Sequence, residues 1–245
     1  MSSVKNKIKL IARKFGIEIC RYNSAQSIEA RAYTQLEYHK VDCVLDVGAN
    51  DGGYGKFLRS AGFKGNIVSF EPQASAHAKL IETSHTDPAW KIAAPMALGD
   101  VETELEINMA GNSTSSSLLT MLPSHIESAP TSKYIGKEIV KVYRLDTLDE
   151  TVIRAARRIY LKIDTQGYEK PVLLGAQGIM DKIVGIQLEM SVIPLYEGQA
   201  LFQELLTWLD DAGFEMWGIA PGFMNQTTGR MLQFDGIFFR PPRYH

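Results

Sequence analysis

The stretch Val44-Leu-Asp-Val-Gly-Ala-Asn-Asp-Gly52 decides the fold. The apolar run from Asp42 to Val47 ends in Gly48, and a helical pattern follows from Gly53 to Ala61. That order reads as a buried first strand passing into a first helix. Gly62 to Gly65 is a turn, and Asn66 to Phe70 is a second strand ending at Glu71-Pro72. Gln73 to Thr83 reads as a helix and Lys91 to Ala97 as a third strand, weakened by Pro95. Strands alternating with helices in this way predict a doubly wound, parallel α/β sheet.

Further along, Ile159 to Ile163 is a strand ending at Asp164, and Glu169 to Ala176 is a helix. Ile183 to Leu188 is a strand ending at Glu189, and Ala200 to Ala212 is a helix stopped by Gly213. Phe214 to Ala220 and Met231 to Phe239 close the chain as strands. The loop between them, Pro221 to Arg230, is too short for a helical crossover, so they must pair antiparallel. Arg240-Pro-Pro-Arg243 stops the last strand. Between the two halves, residues 102–144 read as an antiparallel insertion with a long Ser-rich loop, and Asp146 to Arg158 as a helix. Residues 1–40 read as an N-terminal helical extension, with a second helix over Ala25 to His39, and 41–245 as one domain.

Composition sets the outer limits. The chain has 245 residues, 45% of them hydrophobic and 22% charged, which excludes disorder and collagen-like sequence. Cys20 and Cys43 make no disulfide framework and no zinc site. The longest stretch without Asp, Glu, Lys or Arg, Ile107 to Ile126, is rich in Ser, Thr, Asn and Gly and does not suit a bilayer. No secretory signal is visible, and a cytoplasmic protein is expected. The formal charge of −2 hides an asymmetry. Lys5, Lys7, Lys9, Arg13, Lys14 and Arg21 against Glu18 give residues 1–22 a net +5 and leave −7 for the rest. Val4, Ile8, Ile11 and Phe15 fall at helical spacing, so this segment is a basic amphipathic helix. It suits docking on its own domain, on a sister subunit in a homo-oligomer, or on an anionic membrane surface or acidic partner. The negative body offers no basic groove for nucleic acid.

In open α/β sheets, ligands bind beyond the carboxyl ends of the strands. Gly48 lets the backbone turn and approach a ligand, and Gly52 closes the turn. Glu71, 23 residues after Gly48, can accept hydrogen bonds from both hydroxyls of a ribose. A dinucleotide site wants Gly-x-Gly-x-x-Gly, so that a pyrophosphate can rest on bare amides. Here Asp46 and Asp51 flank the turn and Asn50 replaces the second glycine. Carboxylates repel a pyrophosphate and attract an ammonium. S-adenosylmethionine carries an ammonium and no phosphate, so the loop favours it over a nicotinamide dinucleotide.

The sequence resembles the FkbM family of S-adenosylmethionine-dependent methyltransferases. The matching pieces are Asp46-Val-Gly-Ala-Asn-Asp-Gly52, Phe70-Glu-Pro72, Ala97-Leu-Gly-Asp100, Leu145-Asp-Thr-Leu148, Lys162-Ile-Asp-Thr-Gln-Gly-Tyr-Glu169 and Glu189, in family order over roughly residues 42–240. Gln166 departs from the pattern, which often has Glu there. The resemblance implies a Rossmann-like class I methyltransferase sheet, mostly parallel with an antiparallel last strand and helices on both faces. It implies methyl transfer to a hydroxyl of a sugar, glycan or natural-product acceptor. A non-catalytic, S-adenosylmethionine-binding scaffold and a nicotinamide-dependent oxidoreductase are the alternatives.

Residue roles follow from position. Asp46, Gly48, Asn50 and Gly52 are expected at the methionine part of the cofactor, Glu71 at the ribose, and Ala97 and Leu98 at the adenine, with Ala49 and Pro72 also on the cofactor. Asp164 is expected beside the methionine end, both on the cofactor and in the chemistry. Glu189 should project into the same crevice, and with Asp164 it could hold Mg²⁺. Ser116, Glu169, Tyr196 and Trp217 are the acceptor-side candidates, with Glu169 equally suited to opening its helix. His39, His77, His85 and His125 have no partner by spacing and read as packing or surface residues.

Overall fold

A computed structural model describes residues 2–241, with side chains from Asn6 onward. Arg243, part of the tail reading, lies outside these residues, as do the side chains of Val4 and Lys5. The main sheet runs β3 (Trp90–Ile92), β2 (Asn66–Phe70), β1 (Cys43–Val47), β7 (Ile159–Ile163), β8 (Ile183–Ser191), β10 (Gln233–Phe239) and β9 (Glu215–Pro221). Every pair from β3 to β8 is parallel, whereas β10 lies antiparallel to both β8 and β9. The mostly parallel sheet with an antiparallel closing strand is as the sequence predicts. Cys43 to Val47 are buried without exception, as a parallel strand covered on both faces must be.

Helices cover the two faces as two separate apolar layers. On one face, α2 (Ile28–Tyr38), α3 (Gly53–Ala61) and α4 (Ala74–Ser84) bring Leu36, Leu58 and Leu80 against Val44, Ile67, Tyr160 and Phe239. On the other, α6 (Thr151–Ala155), α7 (Glu169–Gly175) and α8 (Phe202–Asp211) bring Ile153, Val172, Leu173, Leu205 and Leu209 against Leu45, Leu161 and Leu188. Strand alternation sends Val44 and Leu45 to opposite layers, which is why both neighbours are apolar. The start of α2 is set by Ser27, whose hydroxyl accepts from the Ala30 amide at 3.2 Å. Its other end docks on the sheet: the His39 ring stacks on Phe239 with centroids 4.1 Å apart.

Two sequence expectations are corrected. The third strand stops at Ile92, and Ala97–Leu98 instead form β4 of a second, three-stranded sheet with β6 (Tyr134–Tyr143) and β5 (Thr103–Ala110). Pro95 between them has no N–H to give a ladder, so the chain is free to change sheets there. The helix expected from Asp146 shrinks to a 3₁₀ turn and the five residues of α6. Asp146 instead pairs with Arg144 at 2.7 Å and accepts from the Gly178 amide at 2.9 Å. The antiparallel insertion itself is present as β5 and β6, joined by a loop that carries α5 (Pro123–Ser128).

The N-terminal helix α1 (Ser2–Lys14) stands apart. Ile8, Leu10, Ile11 and Phe15 are exposed, Phe15 by 76%. Docking of this helix on its own domain is therefore not what the structure shows. No helix among the described residues is long and apolar enough to cross a membrane.

Candidate active site

The loops leaving β1, β2 and β7 are tied together by backbone before any side chain contributes. The Gly48 and Ala49 amides both donate to the Phe70 carbonyl at 3.0 Å, and the Asp164 amide donates to the Val47 carbonyl at 3.0 Å. Gly48 has φ +78°, and a Cβ there would lie 1.9 Å from the Asp164 carbonyl oxygen. Only glycine fits that approach.

Above this junction opens a cavity of about 340 Å³. Gly48, Ala49, Asn50, Glu71 and Pro72 line one side, and Ala97, Leu98, Ile107, Ser116 and Leu118 line another. Glu71 is buried and held by two amides: Asn50 donates to Oε2 and Gln73 to Oε1, each at 2.8 Å. Burial pushes its carboxyl up to about 7 against the pull of these two donors. Each carboxylate oxygen still has a free lone pair for a ligand hydroxyl. Pro72, Met96, Ala97, Leu98 and Leu118 supply an apolar slot beside it, suited to a flat heterocycle.

Asp46 and Gly52 do not line the cavity. Asp46 is completely buried behind the loop. Ser69 donates to its Oδ2 at 3.3 Å, while Oδ1 has no hydrogen bond and faces the Lys162 ammonium at 3.7 Å. Burial raises its pKa, and Lys162 opposes the rise. Gly52 is needed for packing, because a Cβ there would meet Thr83 and Leu80 at 2.9 and 3.0 Å. The acidic character of the cavity therefore comes from Asp51, Glu71, Asp164 and Asp235 instead.

The other half of the site is a side-chain network. Lys162 is buried with its Nζ 3.1 Å from Asp164 Oδ2 and 5.1 Å from the Tyr54 ring centre. Burial alone would lower the ammonium's pKa, but Asp164, Asp46 and Asp235 around it raise it. Asp164 is the open member: its side chain is 37% exposed against 7% for Lys162. Gln166, at φ +55°, sits at the centre. Its amide donates at 2.8 Å to both Asp164 Oδ1 and Glu189 Oε2, and its oxygen accepts from the Tyr196 hydroxyl at 2.7 Å. Ser117 Oγ fixes the Gln166 carbonyl at 2.7 Å, and Gln233 gives Glu189 a second amide donor at 2.8 Å. Glu189 is half-buried among Asp164, Glu169 and Asp235, and desolvation together with these acids raises its carboxyl well above the usual range.

The acceptor-side expectations divide. Ser116 lines the cavity, although its hydroxyl closes the loop by accepting from Ala110 N and donating to Ser113 O. Glu169 does not line it: Oε1 accepts from Thr165 N, Thr165 Oγ1 and Gly167 N, which clamps the turn before α7. Tyr196 is fully buried and acts through Gln166, and its hydroxyl also lies 3.3 Å from His125 Nε2. Trp217 is on the far side, packed between Tyr38, His39 and Phe239. Glu189 stands behind Gln166 and does not line the cavity either.

The Mg²⁺ expectation fails on the donors. The oxygens that Asp164 and Glu189 turn toward each other both accept from one amide, and the other Asp164 oxygen faces an ammonium. Among the described residues no three of His, Cys, Asp or Glu surround a common point. These carboxylates do not present the oxygen cage that Mg²⁺ takes.

Sequence reasoning missed Tyr54, Gln187 and Asp235, which line the cavity from α3, β8 and β10. For Gln187 and Asp235 the available signal was an unpaired polar residue inside an apolar strand. The hub role of Gln166 had no signal beyond its departure from the family pattern.

The family model "Methyltransferase FkbM domain" matches residues 46–216, more than half of the chain. No curated protein matches. Among solved structures, a methyltransferase from Clostridium acetobutylicum aligns at TM-score 0.45 and 7% identity, covering 98% of this chain and 100% of its own. One from Aquifex aeolicus aligns at TM-score 0.41 and 12% identity, covering 85% of this chain and 88% of its own. TehB from Haemophilus influenzae aligns at TM-score 0.44 and 10% identity, covering 94% of this chain and 65% of its own. Scores this low say nothing about an acceptor. The family match and the glycine turn, ribose-ready Glu71 and sheet order together make the chain a member of the FkbM family of S-adenosylmethionine-dependent methyltransferases.

Proposed function

We propose that the protein transfers a methyl group to a hydroxyl oxygen of a sugar, glycan or natural-product acceptor. The observation that carries this reading is Asp164. It is the carboxylate at the end of β7 that opens into the cavity while its neighbours Asp46 and Lys162 are buried. Bound S-adenosylmethionine supplies an electrophilic methyl on a sulfonium. Glu71 would hold the ribose hydroxyls, Gly48, Ala49 and Asn50 the methionine part, and Ala97 and Leu98 the adenine. Asp164 would accept the hydroxyl proton as the new C–O bond forms and the methyl C–S bond breaks, with S-adenosylhomocysteine as the leaving group. Lys162 and Gln166 each hold one of its oxygens, so its direction is set before the acceptor arrives.

The test is transfer of labelled methyl from S-adenosylmethionine to sugars, glycosides, phenols and RNA, with wild type and Asp164→Asn. Methylation of a hydroxyl, lost in the variant while cofactor binding persists, supports the reading. Methylation of a nitrogen or of RNA overturns the acceptor class. Cofactor binding with no transfer to any acceptor favours a scaffold.

The N-terminal helix bears on where this happens. Its exposed Ile8 and Ile11, with Phe15 just past its end, lie on one arc bordered by Lys7 and Lys14, with Lys9 and Arg13 on the opposite face, a basic amphipathic pattern that suits an anionic lipid surface. We propose that surface as its partner. Co-sedimentation with phosphatidylserine-containing vesicles, lost in Ile11→Glu and with phosphatidylcholine alone, is expected. Equal recovery without vesicles, as a dimer, would mean that a second copy covers the helix instead.

A further inference from the structure

A second cavity, of about 220 Å³, lies on the sheet face between α2 and α3. Its walls are mostly apolar, with Ile28, Leu36, Phe57, Ile237 and Phe239, and Gln35 adds one amide. It shares Tyr54, Gln187 and Asp235 with the cofactor cavity, so the two spaces meet at those three residues. The neck is polar and ordered. The Tyr54 and Tyr160 hydroxyls donate to Gln187 Oε1 at 2.8 and 3.1 Å, and the Gln187 side chain in turn bonds the Asp235 carboxyl, which keeps further lone pairs for an incoming hydroxyl. Burial raises the Asp235 pKa, and Asp164 adds to the rise. Among the described residues, no Lys, Arg or His lines the second cavity.

We propose that this cavity takes the body of the methyl acceptor: an uncharged, weakly polar hydroxyl compound about one substituted ring in size. Its hydroxyl enters the neck between Tyr54, Gln187 and Asp235 and reaches the cofactor cavity. The inference rests on the methyltransferase reading above and narrows it. Three physical reasons favour this class. An apolar cavity of roughly 150 Å³ already binds benzene, so this one has room for a substituted ring. A free sugar would bring more hydroxyls against Ile28, Leu36, Phe57 and Phe239 than Gln35 and the neck can partner, at a cost of about 1–3 kcal/mol for each left unpaired. An anionic group would meet Asp235 at the neck with no cation in the walls to balance it.

The probes are 2-naphthol and 6-hydroxy-2-naphthoate, which share ring and hydroxyl and differ by a carboxylate. Binding is read by saturation-transfer NMR and titration on the full chain loaded with S-adenosylhomocysteine. Wild type is expected to bind 2-naphthol at least tenfold more tightly than the carboxylate. Ala32→Trp, which fills the cavity from α2, should weaken 2-naphthol at least tenfold and leave S-adenosylhomocysteine affinity unchanged by calorimetry. Ala32 is half-buried, so Ile28→Trp at the exposed first residue of α2 repeats the test where folding is least at risk. Failure of 2-naphthol to bind wild type, equal binding of the carboxylate, or unaltered binding by both folded variants overturns the proposal. If S-adenosylhomocysteine itself does not bind, the methyltransferase reading fails, and 2-naphthol binding to the free protein still reports on the cavity.

Discussion

The β1–β2 end of the site and the β7–β8–β10 end are built by different means. At the first, backbone amides do the holding: Gly48 and Ala49 donate to the Phe70 carbonyl and Asn50 to the Glu71 carboxylate. At the second, side chains distant in sequence meet: Gln166 with Tyr196, 30 residues away, and Glu189 with Gln233, 44 away. A backbone-built site is shared by any sequence that can make the turn. A side-chain network can be altered one residue at a time, so the second half is the place where acceptor choice can change without loss of the cofactor.

The hardest way to break this contrast is at Gly48, where the halves touch. Gly48→Ala forces a Cβ into the Asp164 carbonyl at a positive φ, so the loops must part. We expect destabilisation of about 3 kcal/mol or more in denaturant melts and loss of cofactor binding by calorimetry. Asp164→Asn should separate the halves cleanly, lowering kcat by roughly 10²–10⁴-fold with little change in cofactor affinity. An equal loss of both would mean that Asp164 serves the cofactor alone.

Glu71→Ala should do the reverse, weakening cofactor binding by about 10- to 100-fold, a change of 1.4–2.7 kcal/mol, with the fold intact. The Glu71 carboxyl, pushed up to about 7, also makes cofactor affinity pH-dependent. Affinity should weaken as pH falls through that value, because the protonated form loses an acceptor for a ribose hydroxyl. A flat profile would count against the ribose role.

The smallest effect concerns stability. Burial pushes Glu169 up to about 7. The folded chain then keeps a proton that the unfolded chain releases above the ordinary carboxylate range. Stability from this group is full at low pH and falls as pH rises through about 7. Glu169→Gln keeps the Oε1 acceptor and cannot ionise. Its loss of stability between about pH 5 and pH 8 should be smaller than in wild type by on the order of 2 kcal/mol.

Much of the fold was legible because its signals are local. The apolar run before Gly48, the strand ends at Glu71 and Asp164, and the short loop after β9 each restrict the backbone over a few residues. The misreading at Ala97–Leu98 has a local cause too: Pro95 permitted a change of sheet that periodicity does not register. Within the site, Glu71 and Asp164 were found as strand-end carboxylates, but spacing could not tell which acids face the cavity. Asp46 and Asp51 flank one turn, yet one is sealed beneath it and the other is exposed.

The sequence by itself determined the parallel sheet and the glycine turn, since those follow from periodicity and backbone sterics over a few residues, and its ordered motifs and acidic loop pointed to the cofactor class. Tertiary structure alone decided the acceptor half. Lys162, Gln166, Glu189 and Asp235 come from three strands and a loop, and the role of each depends on which oxygen meets which donor. Burial and pairing at that range belong to the packed chain, and no spacing along the sequence encodes them.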